Sequence, residues 1–322
     1  MYDVTALGEV LIDFACLDVD GSGYPTMKAN PGGAPCNFLA ALSAYGAKTA
    51  FLGKVGADAF GNMLLETLKG VGVETSGIVM DPAVFTTLAF VTFDASGDRS
   101  FSFARKPGAD TQLREEELDY DILDATRVFH FGTLSLTDEP ARSATQKAVA
   151  YARQKGCTIT FDPNLRPPLW NNLEEAKKQI LWGLGQADMV KISDEEVDFL
   201  WQTDEQTAAG ILLEEYGVKL AFITLGAKGC YFAGRNGSGY VPGIPVSAID
   251  TTGAGDIFGG SALSRILKLG KPLEELTVQE LKEVTRFACT AASLSTQVRG
   301  GITSVPPEQT VLEHMEKAYA TA

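Results

Sequence analysis

The chain has 322 residues, 45% of them hydrophobic, enough to bury a large core as one α/β domain or two smaller ones. A formal charge of −14 without any Lys/Arg-rich run argues against nonspecific nucleic-acid binding, so an anionic ligand would need local positive groups. Five widely spaced cysteines (Cys16, Cys36, Cys157, Cys230 and Cys289), no metal-type spacing with His130 or His314, and no signal-like or 18-residue apolar run predict a reduced, cytoplasmic protein that makes no use of a membrane.

The first element, VTALGEVLIDF, predicts a strand that ends at Asp13, and Cys16–Asn30 reads as a polar, Gly-containing insertion. NPGGAPCN then sets Gly32 and Gly33 before Pro35, a good first helical residue, so a helix is expected over Pro35–Tyr45 with Asn37 near its start. TAFLGKVG from Thr49 predicts a strand and Ala59–Leu68 a helix. TLAFVTFDASGDRSFSFARKPGAD contains two alternating strands joined by DASGDR, a β-hairpin region that carries Arg105. With the Cys16–Asn30 insertion it forms a small sheet over one end of the molecule, either a lid or a decorative edge.

Beyond it, strands are expected at VFHFGTLSL from Val128, TITFDPN from Thr158, DMVKIS from Asp188 and LAFITLG from Leu220. Helical patterns cover Ala141–Gln154, Leu173–Leu184, Gln279–Gln297 and Pro307–Tyr319. The alternation implies a mainly parallel sheet with helices on both faces, and in such sheets ligands sit beyond the carboxyl ends of the strands.

Several unusual residues fall at those ends. Asp13 and Asn37 suit the adjacent hydroxyls of a polyol and Gly32 and Gly33 allow its close approach, although each also has a local reading as strand end, turn or cap. Arg166 lies in the stiff turn FDPNLRPPLW, where it either clamps a ligand oxygen or stays an unengaged surface arginine. ITLGAKGCYF places Thr224, Gly226 and Gly229 in another turn open to close backbone approach. DTTGAGD, Asp250–Asp256, precedes a helix marked by Phe258, Ala262, Ile266 and Leu269. Its glycines therefore sit where unpaired N–H groups and the helix dipole collect, a phosphate cradle unless Asp256 is an ordinary first-turn acid. No GxxxxGK[ST] occurs, and Phe258 stands where a dinucleotide fingerprint needs its third glycine.

Taken together, GGAPCN, FLGKVGADAFG, RKPGAD, FHFGTLSL, FDPNLRPPLW, KISDEE, TLGAKG and DTTGAGDIFGG resemble the ribokinase/PfkB family of sugar kinases over nearly the whole chain, and its fructokinase branch within it. The resemblance implies one ribokinase-like α/β domain over residues 1–322, with a central, mostly parallel sheet flanked by helices and a small β-sheet lid from about 14–30 and 84–110. It implies ATP and magnesium as cofactors and transfer of the γ-phosphate to D-fructose, giving fructose 6-phosphate. A sister activity on 2-keto-3-deoxygluconate, another sugar or a nucleoside is the alternative, and Arg105 and Arg166 would serve a substrate carboxylate equally well. A noncatalytic sugar sensor is the reading from another class, and the intact Asp256 with its GAG turn argues against it.

Residue by residue, the resemblance makes Asp256 the base, Gly253, Ala254 and Gly255 the anion hole, and Asp13, Gly32, Gly33 and Asn37 the sugar site. Arg105 matches a substrate-side and Arg166 a phosphate-side arginine. Thr224, Gly226 and Gly229 match nucleotide-loop positions, and Cys289 and Ala292 line the adenine pocket. The family's NxxE is here Ser193 through Glu196; Glu196 can order magnesium-bound water, while the nucleotide-side role of Ser193 is the departure from the pattern. Asp250, Thr252, Ser295, Gly300 and Ser304 match a potassium site, with Asp250 bonding its own turn as the alternative. A homodimer joined through the lid is a further implication. The helix end should favour ionised Asp256 and so make it a weak base.

Overall fold

The computed structural model describes residues 1–93 and 99–320; the turn expected at DASGDR lies, except for Arg99, outside the described residues. The first strands are β1 (Tyr2–Leu7), β2 (Leu11–Val19), β3 (Pro25–Gly32), β4 (Thr49–Gly56), β5 (Val73–Glu74) and β6 (Ile78–Asp81). Then come β7 (Leu88–Phe93), β8 (Arg99–Ala104), β9 (Thr126–Gly132), β10 (Thr158–Asp162) and β11 (Met189–Ser193). The last are β12 (Leu220–Thr224), β13 (Gly229–Gly234) and β14 (Gly237–Pro242). The helices are α1 (Ala34–Ala44), α2 (Ala59–Gly70), α3 (Tyr120–Asp124), α4 (Ala141–Gln154) and α5 (Leu173–Leu184). They continue as α6 (Asp194–Trp201), α7 (Glu205–Glu214), α8 (Ala254–Leu269), α9 (Val278–Ser295) and α10 (Glu308–Tyr319).

The main sheet runs β14-β13-β12-β11-β10-β9-β1-β4-β5, with β6 also on β4, and is parallel except at β13 and β14. Its parallel strands read as apolar runs because both faces are covered. All of β4 is buried, and successive residues of β9 feed opposite cores, Val128 one and Phe129 and Phe131 the other. Strand order reverses about β1, whose neighbours are β4 on one side and β9 on the other, which puts the ligand crevice at the carboxyl ends of these strands.

A second, smaller sheet, β3-β2-β7-β8, is built from the segments expected to make the lid. Here the sequence expectation needs correcting. VTALGEVLIDF is two strands in two sheets, because the chain leaves the main sheet at Gly8 and Glu9, where the Glu9 carboxylate accepts from the Ala34 N–H at 2.8 Å. The polar insertion is itself a hairpin, β2 on β3, and Phe14 on it stacks on Phe90 of β7 and meets Phe60 edge-on. VFHFGTLSL ends as a strand at Gly132 and turns into a 3-10 segment over Leu134–Leu136.

The helix starts fall into two kinds. Asp58, Asp119, Asn172, Ser193, Asp204 and Thr277 cap α2, α3, α5, α6, α7 and α9 with their own side chains. By contrast, α1, α4, α8 and α10 have no side-chain cap, and of these α1 and α8 begin at glycines, Gly33 and Gly253. These two helices pack on each other closely: a Cβ at Gly260 of α8 would lie 2.3 Å from the Phe38 carbonyl of α1. Their uncapped ends therefore meet, at the carboxyl edge of the main sheet. No helix among the described residues is long and apolar enough to cross a membrane.

Candidate active site

Gly253 starts α8 in the left-handed region at φ 77°, a conformation that glycine adopts without a Cβ penalty. Among the described residues no hydrogen bond occupies the N–H of Gly253, Gly255 or Asp256, so the first turn presents free donors. Asp256 follows at once and is buried, with the Asn37 Nδ2 donating to its Oδ2 at 2.8 Å. Burial lifts the Asp256 carboxyl above its ordinary range, and the Asn37 bond, Lys191 and Arg166 oppose that rise. The expected weak base is thus corrected: desolvation outweighs the stabilising contacts and leaves Asp256 more basic than a free aspartate.

Across from it, Asp13 lies on β2 with its carboxylate over Gly32, where a Cβ would come 2.2 Å from Oδ2. Burial pushes Asp13 up to about 7, against Arg166 and reinforced by Asp250 and Asp256. Arg166 is exposed in the turn after β10 and acts electrostatically on both carboxylates. Asn37 is packed between the two glycine turns, for a Cβ at Gly301 would fall 2.2 Å from its Oδ1 and one at Gly253 3.0 Å from its Nδ2. That Oδ1 is buried and has no partner.

Beneath the turn lies a group that the sequence reading did not single out. Lys191 of β11 is buried with its Nζ 3.1 and 3.3 Å from the two carboxylate oxygens of Asp162, at the end of β10. Desolvation pulls Lys191 down, but Asp162, Glu196 and Asp256 more than reverse this and hold it charged. Burial pushes Asp162 up, against the attraction of Lys191. A signal was present: a lysine inside the apolar run MVKIS and an aspartate closing TITFD are charges in strands that otherwise read as fully buried.

The positions expected on the nucleotide side lie along one edge of the sheet. Ser193 and Thr224 are register partners on β11 and β12, and Thr224 is opposite Cys230, which senses Cys289 of α9 electrostatically. Gly226 and Gly229 have φ of 56° and 122° in the turn between β12 and β13, and Ala292 lies one turn beyond Cys289. Ser193 caps α6 by accepting from the Glu196 N–H, while Glu196 accepts from the N–H groups of Ser193 at 2.9 Å and Leu165 at 2.7 Å.

Asp250 bonds its own turn, accepting from Thr252 N and Oγ1, and also accepts from the Gly300 N–H at 3.1 Å. Ser295 and Ser304 are buried next to that loop and bond the carbonyls of Ala292 and Gly301. Arg105 stands apart from this group. It is 5% exposed just past β8, with Nε and an Nη nitrogen on Asp110 at 2.8 Å and further bonds to Thr137 and the Leu134 carbonyl.

Comparison with known proteins gives the chain its family. The sequence profile of the pfkB family carbohydrate kinases matches residues 1–308. The chain belongs to that family. Fructokinase-2 of Solanum lycopersicum is 42% identical over 308 residues, 94% of this chain and 93% of the relative. A fructokinase from Xylella fastidiosa with bound ATP superposes with a TM-score of 0.90 at 30% identity, covering 99% of this chain and 100% of that one. A fructokinase double mutant from Vibrio cholerae O395, bound to fructose, ADP and potassium ion, gives 0.86 at 31% identity over 98% and 99%. The fold of this pfkB kinase is accordingly the ribokinase-like one, and its chemistry that of an ATP-dependent sugar kinase.

Proposed function

We propose that this pfkB kinase phosphorylates D-fructose with ATP to give fructose 6-phosphate. The observation that carries the reading is Asp256, buried and lifted above its ordinary value at the start of a helix where, among the described residues, its own N–H and those of Gly253 and Gly255 are unpartnered. The identity to fructokinases over nearly the whole chain supports fructose as the sugar.

In this mechanism Asp13 and the Gly32–Gly33 turn hold the sugar under the lid, with its primary hydroxyl toward Asp256. The carboxylate, made more basic by burial, takes the hydroxyl proton as the oxygen bonds to phosphorus. The free N–H groups of Gly253, Gly255 and Asp256 and the α8 dipole stabilise the charge on the transferring oxygens, while the Ala254 N–H, also expected in the anion hole, is held by the Thr251 carbonyl at 3.3 Å, and Arg166 balances the charge from the turn after β10. Closure of β2, β3, β7 and β8 keeps water from the γ-phosphate.

The donor set suits magnesium. Phosphate-bound magnesium takes one or two carboxylates and several waters, and the buried Glu196 acts electrostatically on Asp162 and Asp256 around that space. Glu196 would hold its water shell, and the ion would supply charge neutralisation between the β- and γ-phosphates. For potassium, Asp250 with the Thr252, Ser295, Gly300 and Ser304 segment offers oxygen ligands between two loops already joined by Asp250 and Gly300. Turnover in potassium severalfold above that in tetramethylammonium is expected, and equal rates would remove the site.

The exposed apolar residues Leu17, Val19, Tyr24 and Phe85 lie on or beside the lid and support its use by a second copy, and five free thiols support a reducing cytoplasmic setting. ATP consumption across a panel of sugars and nucleosides tests the main reading. Fructose should give the highest kcat/KM, with the phosphate on O6 by NMR; a higher value for 2-keto-3-deoxygluconate would replace fructose as the substrate.

A further inference from the structure

Buried ion pairs add little net stability, so a lysine retained inside a strand calls for another explanation. Lys191 is the third residue of β11, on the sheet face that α8 covers, since its register partner Phe222 packs edge-on against Phe258 of α8. Its Nζ reaches the first turn of that helix: a Cβ on Gly255 would lie 2.9 Å from Nζ and 3.4 Å from Cε. The ammonium therefore rests directly against the backbone whose N–H groups are free. Nζ carries three donors, and its contacts, at 3.1 and 3.3 Å, both go to the one carboxylate of Asp162. At least one N–H is left over beside Gly255, within the electrostatic reach of Asp256.

We propose that Lys191 is a catalytic residue of the phosphoryl transfer, contacting an oxygen of the γ-phosphoryl group as it crosses from ATP to the sugar. The inference rests on the kinase reading above and adds a charged donor to the glycine turn. In the step, the bond from the γ-phosphorus to the bridging oxygen breaks while the sugar oxygen bonds to phosphorus. The hydroxyl proton goes to Asp256, ADP leaves with the bridging electron pair, and Lys191 keeps its proton throughout. Asp162 fixes the ammonium beneath Gly255, so its position is set before the substrates arrive, which is what makes such a charge effective.

The test uses Lys191→Met and, because Asp162 would then be buried without its partner, the double variant Lys191→Met/Asp162→Asn. Both should lose about 10²–10³ in kcat, the scale for removing one transition-state donor, with KM for fructose and ATP within about threefold. The second readout is calorimetric: the gain in affinity when aluminium fluoride is added to MgADP and fructose. Wild type should show that gain and the variants should lose it about 100-fold, with MgADP affinity kept. A lysine that only supports the fold would instead lower Tm and raise both KM values. Variants within tenfold of wild-type kcat, or with the fluoride gain intact, overturn the role of Lys191 alone. A wild-type protein that fails to phosphorylate fructose overturns the function and this inference together.

Discussion

Two buried polar clusters lie a short way apart in this kinase, one under the glycine turn of α8 and one at the root of the lid. The root cluster holds the four places where the chain crosses between the sheets. Glu9 precedes β2 and binds the Ala34 N–H after β3, Thr87 precedes β7 and donates to Asp110, and Arg105 follows β8 and grips Asp110. Burial pushes Glu9 up to about 7, with Asp110 adding to the rise and Arg105 opposing it. The Arg105 guanidinium is engaged on Nε and on both Nη nitrogens. The cluster under α8 is incomplete: Asn37 Oδ1 has no partner, helix N–H groups are open, and Lys191 spends all its contacts on one carboxylate. Unpaired polar groups are costly in a folded interior, so they persist where a ligand completes them, while a saturated network is a joint.

The comparison breaks most decisively at Asp256. Asp256→Asn should lower kcat by about 10²–10⁴, the range for a positioned acid or base, with both substrates still binding. Because a desolvated carboxylate is removed, Tm should hold or rise. Turnover within tenfold of wild type would refute the assignment of the base.

At the lid root the same treatment should act on stability. Arg105→Met leaves Asp110 buried and unpaired, which costs about 3–5 kcal/mol, read from urea unfolding. Adding Asp110→Asn should recover much of the loss. Since the lid carries Asp13, fructose KM should rise while ATP KM stays within about twofold. A variant with wild-type stability and a raised fructose KM would return Arg105 to the sugar site and undo the contrast between the clusters.

The sequence made the site's glycines and Asp256 legible because their chemistry is local: a turn and the helix it opens. The same holds for α4 and α5, whose observed limits coincide with the periodic apolar pattern. What was hidden depends on contacts far apart in the chain. Arg105 sits in a hairpin region by sequence, and only the return of Thr137 and Leu134 from beyond β9 shows it to be clamped. Lys191 and Asp162 are 29 residues apart, and neighbouring parallel strands bring them into contact. β13 and β14 were missed although Arg235 and Asn236 stand before Gly237 at their turn, because Gly229, Gly234, Gly237 and Gly239 dilute the alternation.

The smallest expected effect is also the finest probe of the incomplete cluster. Asn37 donates to Asp256, and a donor to a carboxylate favours its ionised form, so it holds the Asp256 carboxyl below where burial alone would put it. Asn37→Leu keeps the volume and removes the donor. A hydrogen bond to a charged group is worth roughly 1.5–3 kcal/mol, so without it the Asp256 carboxyl should rise further. The base must be ionised to act, hence activity is lost as pH falls, and the acid limb of kcat/KM should move to higher pH in the variant. Well above that limb the loss should stay within about tenfold, because the base is ionised again. If Asn37 served only as a sugar contact, fructose KM would rise equally at every pH and the limb would stay in place, which would detach Asn37 from the base and leave its unpartnered oxygen as a substrate group alone.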